Sequence, residues 1–160
     1  MIDRLRRIPR EDWLRAAGFV ALVNVVGASP AFVFGADTDW FERPAFFPPE
    51  ILFPIVWTLL FTLMGLALAL VWRKGPTRSD VRLALSAFGL QFVFNLAWTP
   101  VFFGLQRPGL GLVVIGLLWV SIVLTILAFD RVDRRAAVLL MPYLLWVSFA
   151  AVLNYAIYTI

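Results

Sequence analysis

The chain has no cysteine and no histidine among its 160 residues. Disulfides, thiolate nucleophiles, the usual zinc sites and haem ligation through those two side chains are therefore excluded. Charge is scarce as well. Asp, Glu, Lys and Arg together make up 15% of the chain, and none falls inside five apolar runs at 16–36, 51–72, 83–106, 108–129 and 136–160. Ion channels, proton-coupled carriers and pumps keep ionisable groups at mid-membrane depth, where such groups are too expensive to persist without a function. Their absence argues against ion-coupled transport. Low-complexity tracts and internal repeats are missing too, and five runs do not divide into the inverted halves of many transporters.

What the chain has in abundance is hydrophobic residues, 62% of the total. Each run holds about 20 to 25 residues, and a helix rising about 1.5 Å per residue needs about 20 to cross a bilayer core. The expectation is an all-α integral membrane protein, a five-transmembrane-helix bundle forming one domain over 1–160. With flanking residues added, the spans are predicted at 14–36, 51–73, 80–104, 108–129 and 135–158, with an ordered lid loop at 37–50. The first run is too long for the apolar core of a signal peptide, although basic residues precede it.

A formal charge of +4 does not point to nucleic acid, because the basic residues segregate along this layout. Arg4, Arg6, Arg7, Arg10 and Arg15 precede the first run. Arg73, Lys74, Arg78 and Arg82 separate the second from the third, and Arg131, Arg134 and Arg135 the fourth from the fifth. Only two of the fourteen, Arg43 and Arg107, fall in the other connections. The positive-inside rule then predicts a cytoplasmic N-terminus, five crossings and an outer C-terminus, with the cell membrane as the expected location.

Local signals refine the picture. Glu11 and Asp12 suit the positive end of a first helix. Gly27, Ala31 and Gly35 recur every four residues and offer a ridge that a neighbouring helix can approach closely, within the bundle or in a second copy. The segment 37–50 carries three prolines, four acidic residues and four aromatics. Its prolines exclude a continuous helix and its rings need a surface to cover. It reads as a lid over the outer mouth of the bundle, with an interfacial aromatic belt as the alternative. Pro54 falls in a first helical turn, Gly75-Pro76 stops the second helix, and Asp80 can begin the third. Pro100 should kink the third helix and Pro142 should bend or loosen the start of the fifth.

The polar residues inside the spans are uncharged. Gln91, Asn95 and Thr99 are spaced by four and share a helical face with Trp98 nearby. Trp57, Phe61 and Gly65 form a similar line on the second helix, and Trp146, Ala150 and Asn154 on the fifth, with Phe149 alongside. Amide and indole N–H groups need partners away from lipid, so these faces should point inward. Either they glue the helices by hydrogen bonds, or together they wall a cavity suited to a large planar lipophilic ligand.

The spacing also resembles a known family. Arg43-Pro44-x-Phe46-x-Pro48-Pro49 followed by Phe53-Pro54-x-x-Trp57-Thr58-Leu59-x-Phe61 is similar to the signature of the tryptophan-rich sensory protein / translocator protein (TspO) family. So are Phe94-Asn95-x-x-Trp98-Thr99-Pro100-x-Phe102-Phe103-Gly104 and Pro142-Tyr143-Leu144-x-Trp146-x-x-Phe149-Ala150 with Leu153-Asn154. The resemblance runs from about Gly27 to Tyr158. It implies a five-helix bundle, often a homodimer, with a pocket opening toward the lid. It implies binding of porphyrins and haem-related tetrapyrroles, of isoquinoline and benzodiazepine drugs and, in some members, of sterols. By motif match Trp57, Phe61, Asn95, Trp98, Trp146 and Ala150 would line the site, and Pro48 and Pro49 would close it.

Function follows from the resemblance as an expectation. The chain would be a membrane receptor for tetrapyrroles or other lipophilic small molecules in contact with membrane lipid, acting as a stress- or light-linked regulator. No cofactor is required, with porphyrin or haem as the expected ligand. Some bacterial relatives promote light-dependent porphyrin breakdown, for which Trp57 and Trp146 would be the catalytic candidates here; facilitated tetrapyrrole or lipid transport is a third reading. Three departures stand out. The lid is about two residues shorter than in many relatives, with Phe46 where Trp is frequent. No basic residue follows Tyr155 or Tyr158, so the sterol pattern is incomplete. Without His or Cys, haem would have to be held by stacking and amide contacts.

Overall fold

The computed structural model describes residues 9–160. Arg4, Arg6 and Arg7 of the basic leader lie outside the described residues. Helix α1 (Arg10–Phe34) opens with Glu11 and Asp12 in its first turn, and Asp12 pairs with Arg73 at 3.6 Å. Pro30 sits inside α1 and has no N–H to donate to Val26, four residues back. The Ser29 hydroxyl donates to that carbonyl instead, at 2.7 Å, so the helix continues. It ends at Gly35, whose φ of 76° is open to glycine without strain.

Helix α2 (Leu52–Trp72) starts under Pro54, where a missing N–H is harmless. A short turn through Gly75 leads to α3 (Ser79–Thr99), with Asp80 in its first turn. At Pro100 the helical ladder changes period. Pro100–Gly104 forms a π turn in which the Leu105 N–H donates to the Pro100 carbonyl at 2.8 Å. The expected kink thus takes the form of one wide turn. Helix α4 (Pro108–Val132) follows the outer turn. The expected single fifth helix is two pieces, α5 (Arg134–Leu139) and α6 (Met141–Thr159), broken at Leu140. Pro142 cannot donate to Val138, and the loss of that rung marks the break. Asp133 caps α5 by accepting from the Arg135 backbone N–H at 3.0 Å. Hydrogen bonding from Arg135, with help from the Lys74 charge, holds its carboxyl below the usual range against a partly desolvated setting.

Among the described residues five helical spans, Arg10–Phe34, Leu52–Trp72, Ser79–Gly104, Pro108–Val132 and Arg134–Thr159, are long and apolar enough to cross a membrane. The protein is an all-α integral membrane protein. α1 lies along α2, α3 along α4, and α6 along α4, while α5 packs on α2 and α4. At the end where Arg73 and Arg135 lie (the basic end), the bundle is solid. Ala67 and Val71 of α2, Val81 and Ala84 of α3, Ile122 and Phe129 of α4 and Ala136 of α5 are fully buried there. Phe88 and Phe129 stack at 6.1 Å. Toward the opposite, lid end the helices enclose a hollow.

The small-residue ridge expected on α1 contributes at one point. A Cβ at Gly27 would lie 2.6 Å from the Phe61 ring, while Gly35 ends the helix. A close backbone approach is made from the other side: a Cβ at Gly65 would lie 2.6 Å from the Val20 Cα. A backbone atom cannot swing away as a ring can. Gly65→Ala is therefore expected to lower stability in detergent by about 1–3 kcal/mol by forcing α1 off α2. Gly18→Ala, with nothing within 4 Å of the added atom, should leave the unfolding midpoint unchanged or slightly raised. Equal losses at both positions would show that the contact is not what matters.

Candidate functional site

The hollow is a cavity of about 500 Å³ bounded by α1, α2, α3, α4, α6 and the lid. Asn95 of its lining is tied to a chain of polar side chains behind the wall that would be costly to bury unpaired. The phenol of Tyr143, 1% exposed, donates to Gln91 Oε1 at 2.8 Å and accepts from Asn95 Nδ2 at 2.8 Å. Gln91 Nε2 in turn points at the Met64 sulfur, 3.9 Å away. Gln91 and Asn95 are one turn apart on α3, so a single tyrosine of α6 satisfies both. A second tie lies nearer the lid. Trp98 Nε1 donates to Asn154 Oδ1 at 3.1 Å, and Asn154 Nδ2 donates to the Pro108 carbonyl at 2.8 Å. This joins α3, α6 and the start of α4. Gly111 leaves room for it, since a Cβ there would lie 2.9 Å from Asn154 Oδ1.

The walls are aromatic. Trp57 stands 5.3 Å from Phe61 and edge-on to Tyr143 at 6.3 Å. Trp146 meets Phe53 of α2 edge-on at 5.9 Å and Phe149 at 5.4 Å. Trp98 stacks on Phe102 of the π turn at 4.8 Å. Among the described residues, the indole N–H groups of Trp57 and Trp146 donate to no protein acceptor, yet they are not sealed from their surroundings. The hollow therefore offers flat apolar faces and the Asn95 amide, with two indoles in its wall whose N–H groups are uncommitted.

The lid covers the mouth with a ring cluster. Trp40 and Phe41 pack on Phe102 at 5.3 and 5.8 Å, Phe47 bridges Phe41 and Phe53, and Phe46 reaches Phe149 at 6.5 Å. The Trp40 indole N–H is buried without an acceptor. A polar clasp ties the two ends of the lid. The Thr38 hydroxyl donates to Glu50 Oε1 at 2.6 Å, and Arg43 Nη2 reaches both Thr38 Oγ1 and Glu50 Oε1 at 2.6 Å. The Arg43 guanidinium also lies 5.4 Å above the Phe47 ring, within cation–π range. The Thr38 hydroxyl first, and the Arg43 charge second, hold the Glu50 carboxyl below its ordinary range. The sign follows: the clasp is complete above the usual carboxylate range and is lost as pH falls through the lowered value.

Of the residues singled out from sequence, Trp57, Phe61, Asn95, Trp98, Trp146 and Ala150 all line this cavity. Pro48 and Pro49 do not. They shape the turn into α2, where the Leu52 N–H bonds to the Pro49 carbonyl at 3.0 Å, and it is their neighbours Phe47 and Glu50 that face the hollow. Sequence reasoning passed over Tyr143 as the buried partner of Asn95 behind the cavity wall, and Thr38 and Glu50 as rim residues. For Tyr143 a signal was available: a phenol within a span must find a partner, and the amides of Gln91 and Asn95 were candidates.

Fold and cavity together define the class: a membrane-embedded helical bundle enclosing an aromatic chamber under a proline-rich lid. A profile of the TspO/MBR family matches residues 19–159. The chain is 51% identical over 142 residues to "Tryptophan-rich protein TspO" of Chlorobaculum tepidum, covering 86% of this chain and 90% of that one. It is 33% identical to "Tryptophan-rich sensory protein" of Cereibacter sphaeroides, covering 90% and 89%. Against "Translocator protein" of Homo sapiens the identity is 33%, covering 91% and 89%. The chain belongs to the TspO/MBR family.

The Tyr143 network generates a prediction. Tyr143→Phe keeps the ring and strands two buried amides, so stability in detergent should fall by about 1–3 kcal/mol. The double variant with Asn95→Leu should lose less than the sum of the two single changes, because the same bond is removed twice. Additive losses in thermal unfolding would show that the two side chains act independently.

Proposed function

We propose that this protein is a receptor for planar lipophilic molecules, tetrapyrroles such as protoporphyrin foremost, held in the chamber under the lid. One observation carries the reading: tryptophans from three separate helices, Trp57, Trp98 and Trp146, surround one hollow of about 500 Å³. That volume falls within the range of small-molecule sites, about 300–1,000 Å³. Indole and phenyl faces would take the macrocycle by stacking. The free donors of Trp57 and Trp146 and the amide of Asn95 would orient its polar edge. No axial ligand of the His or Cys kind is available to haem iron, so a metal-free porphyrin suits the donor set at least as well. The relatives' names, "Translocator protein" and "Tryptophan-rich sensory protein", accord with a ligand-responsive membrane protein. With the basic end placed at the cytoplasm by the positive-inside rule, the lid would face outward from the cell membrane.

A second reading has its own support. Trp57 and Trp146 border the same chamber, and Trp57 lies against Tyr143, another oxidisable ring. A photoexcited porphyrin would thus sit among electron donors, as light-dependent degradation requires. Irradiation with bound protoporphyrin separates the two readings: loss of the Soret band that persists in Trp57→Phe and Trp146→Phe excludes a catalytic role for those rings. The receptor reading is tested by titrating tryptophan fluorescence with protoporphyrin. Saturable quenching is expected, and Asn95→Leu should weaken it by about 1–2 kcal/mol while the bundle stays folded. Quenching that rises without saturation, as with plain detergent micelles, would reject the receptor.

A further inference from the structure

The clasp that ties the lid has a chemistry the receptor reading does not use. Thr38 and Glu50 both line the cavity, and among the described residues Glu50 is the only charged one that does. Arg43 stands behind them, its guanidinium over the Phe47 ring. Thr38 is 9% exposed, so its hydroxyl is a buried group committed to this spot. Both donors converge on one oxygen of Glu50, Oε1, which leaves Oε2 outside the contact and the guanidinium fork only partly used. A carboxylate that approached the fork squarely would make two parallel charge-assisted bonds where Glu50 makes one.

We propose that Arg43 and Thr38 form an anion seat at the mouth of the cavity, filled in this structure by the chain's own Glu50. The carboxylate of a planar lipophilic acid takes Glu50's place when such a ligand enters. The inference rests on the reading of the chamber as a ligand site, and names the class of ligand it takes. The exchange is balanced in charge. Glu50, whose side chain is 58% exposed, turns out to water, while Arg43 keeps Asp39 at 3.6 Å. The apolar body of the ligand lies against Phe47, Phe53 and Trp146, and its acid group points to the rim. Among the described residues no cation lines the cavity itself, so an acid that missed Arg43 at the rim would find no positive partner and would meet only the repulsion of Glu50. The lid is coupled to occupancy, because the group displaced by the ligand is the one that fastens residue 50 to residue 38.

The test compares an acid with its ester on the full chain in detergent, with tryptophan quenching as the readout. Protoporphyrin should bind more tightly than its dimethyl ester. Arg43→Gln should weaken the acid about ten-fold, the equivalent of about 1.4 kcal/mol, and leave the ester unchanged. Glu50→Gln removes the competing charge and should tighten the acid several-fold, again without effect on the ester. The two variants move the acid in opposite directions, which a general disturbance of the lid would not do. Parallel shifts of acid and ester, or no shift in either, would overturn the seat. If neither porphyrin form binds, the tetrapyrrole reading fails by itself. The same comparison with pyrenebutyric acid and its methyl ester then decides the seat: an acid-selective response to both variants upholds it, and any other result overturns it.

Discussion

The structure depends on one requirement: in a medium without water, every polar group must find its partner inside the protein. The Tyr143 phenol meets that requirement for two amides at once, Gln91 and Asn95, and so pins α6 to α3 at a fixed depth. The helix break at Leu140 lies just before this point. Below it, α5 closes against α2 and completes the solid basic end. Above it, α6 follows α4, and the space beside α2 is spanned by rings instead of backbone contact, as the edge-on meeting of Phe53 and Trp146 shows. Asn95 belongs to both the polar network and the hollow, bonded to Tyr143 on one side and lining the hollow on the other.

A membrane bundle gains little from burying apolar surface against lipid that is equally apolar, so packing and internal hydrogen bonds must supply specificity. Here the polar ties are unequally placed. Asn24 joins α1 to α2 through Thr62 at 3.2 Å, Trp119 joins α4 to α6 through Ser148 at 2.8 Å, and the two ties from α3 border the chamber. The same side chains therefore serve assembly and site. That is why gluing and cavity-lining, alternatives when the sequence is read alone, are combined in Asn95, which bonds Tyr143 and lines the hollow.

Much of this was legible in the sequence because membrane spans write their periodicity plainly. The five spans match the charge-free runs to within a few residues at most ends, and most members of the Trp57, Asn95 and Trp146 lines, spaced by four, line one cavity, whereas Gly65 faces the first helix and Gln91 lies behind the wall. What could not be read was how each proline would be accommodated. Pro30, Pro100 and Pro142 each delete one rung, yet a neighbouring hydroxyl preserves the helix at the first, a wide turn absorbs the second, and the helix splits at the third. The outcome is decided by what lies nearby in space. The rim was hidden for a similar reason. Thr38, Arg43 and Glu50 follow no helical period, and only the folded loop brings residues 38 and 50 together. Pro48 and Pro49 stood out in the sequence; they lie in the turn into α2, outside the cavity lining and between Phe47 and Glu50, which belong to it.

The wide turn at Pro100–Gly104 has a consequence for how this lid could evolve. One extra residue in a helical turn rotates everything after it by about 100° around the axis. Phe102 and Phe103 owe their bearing to that offset, and Phe102 is the ring on which Trp40 and Phe41 rest. A descendant that regained an ordinary α-helical pitch here would turn its landing platform away from Trp40 and Phe41, and the loop would have to change with it. Loop and turn are therefore bound to drift together, one inherited unit made of two distant stretches of chain.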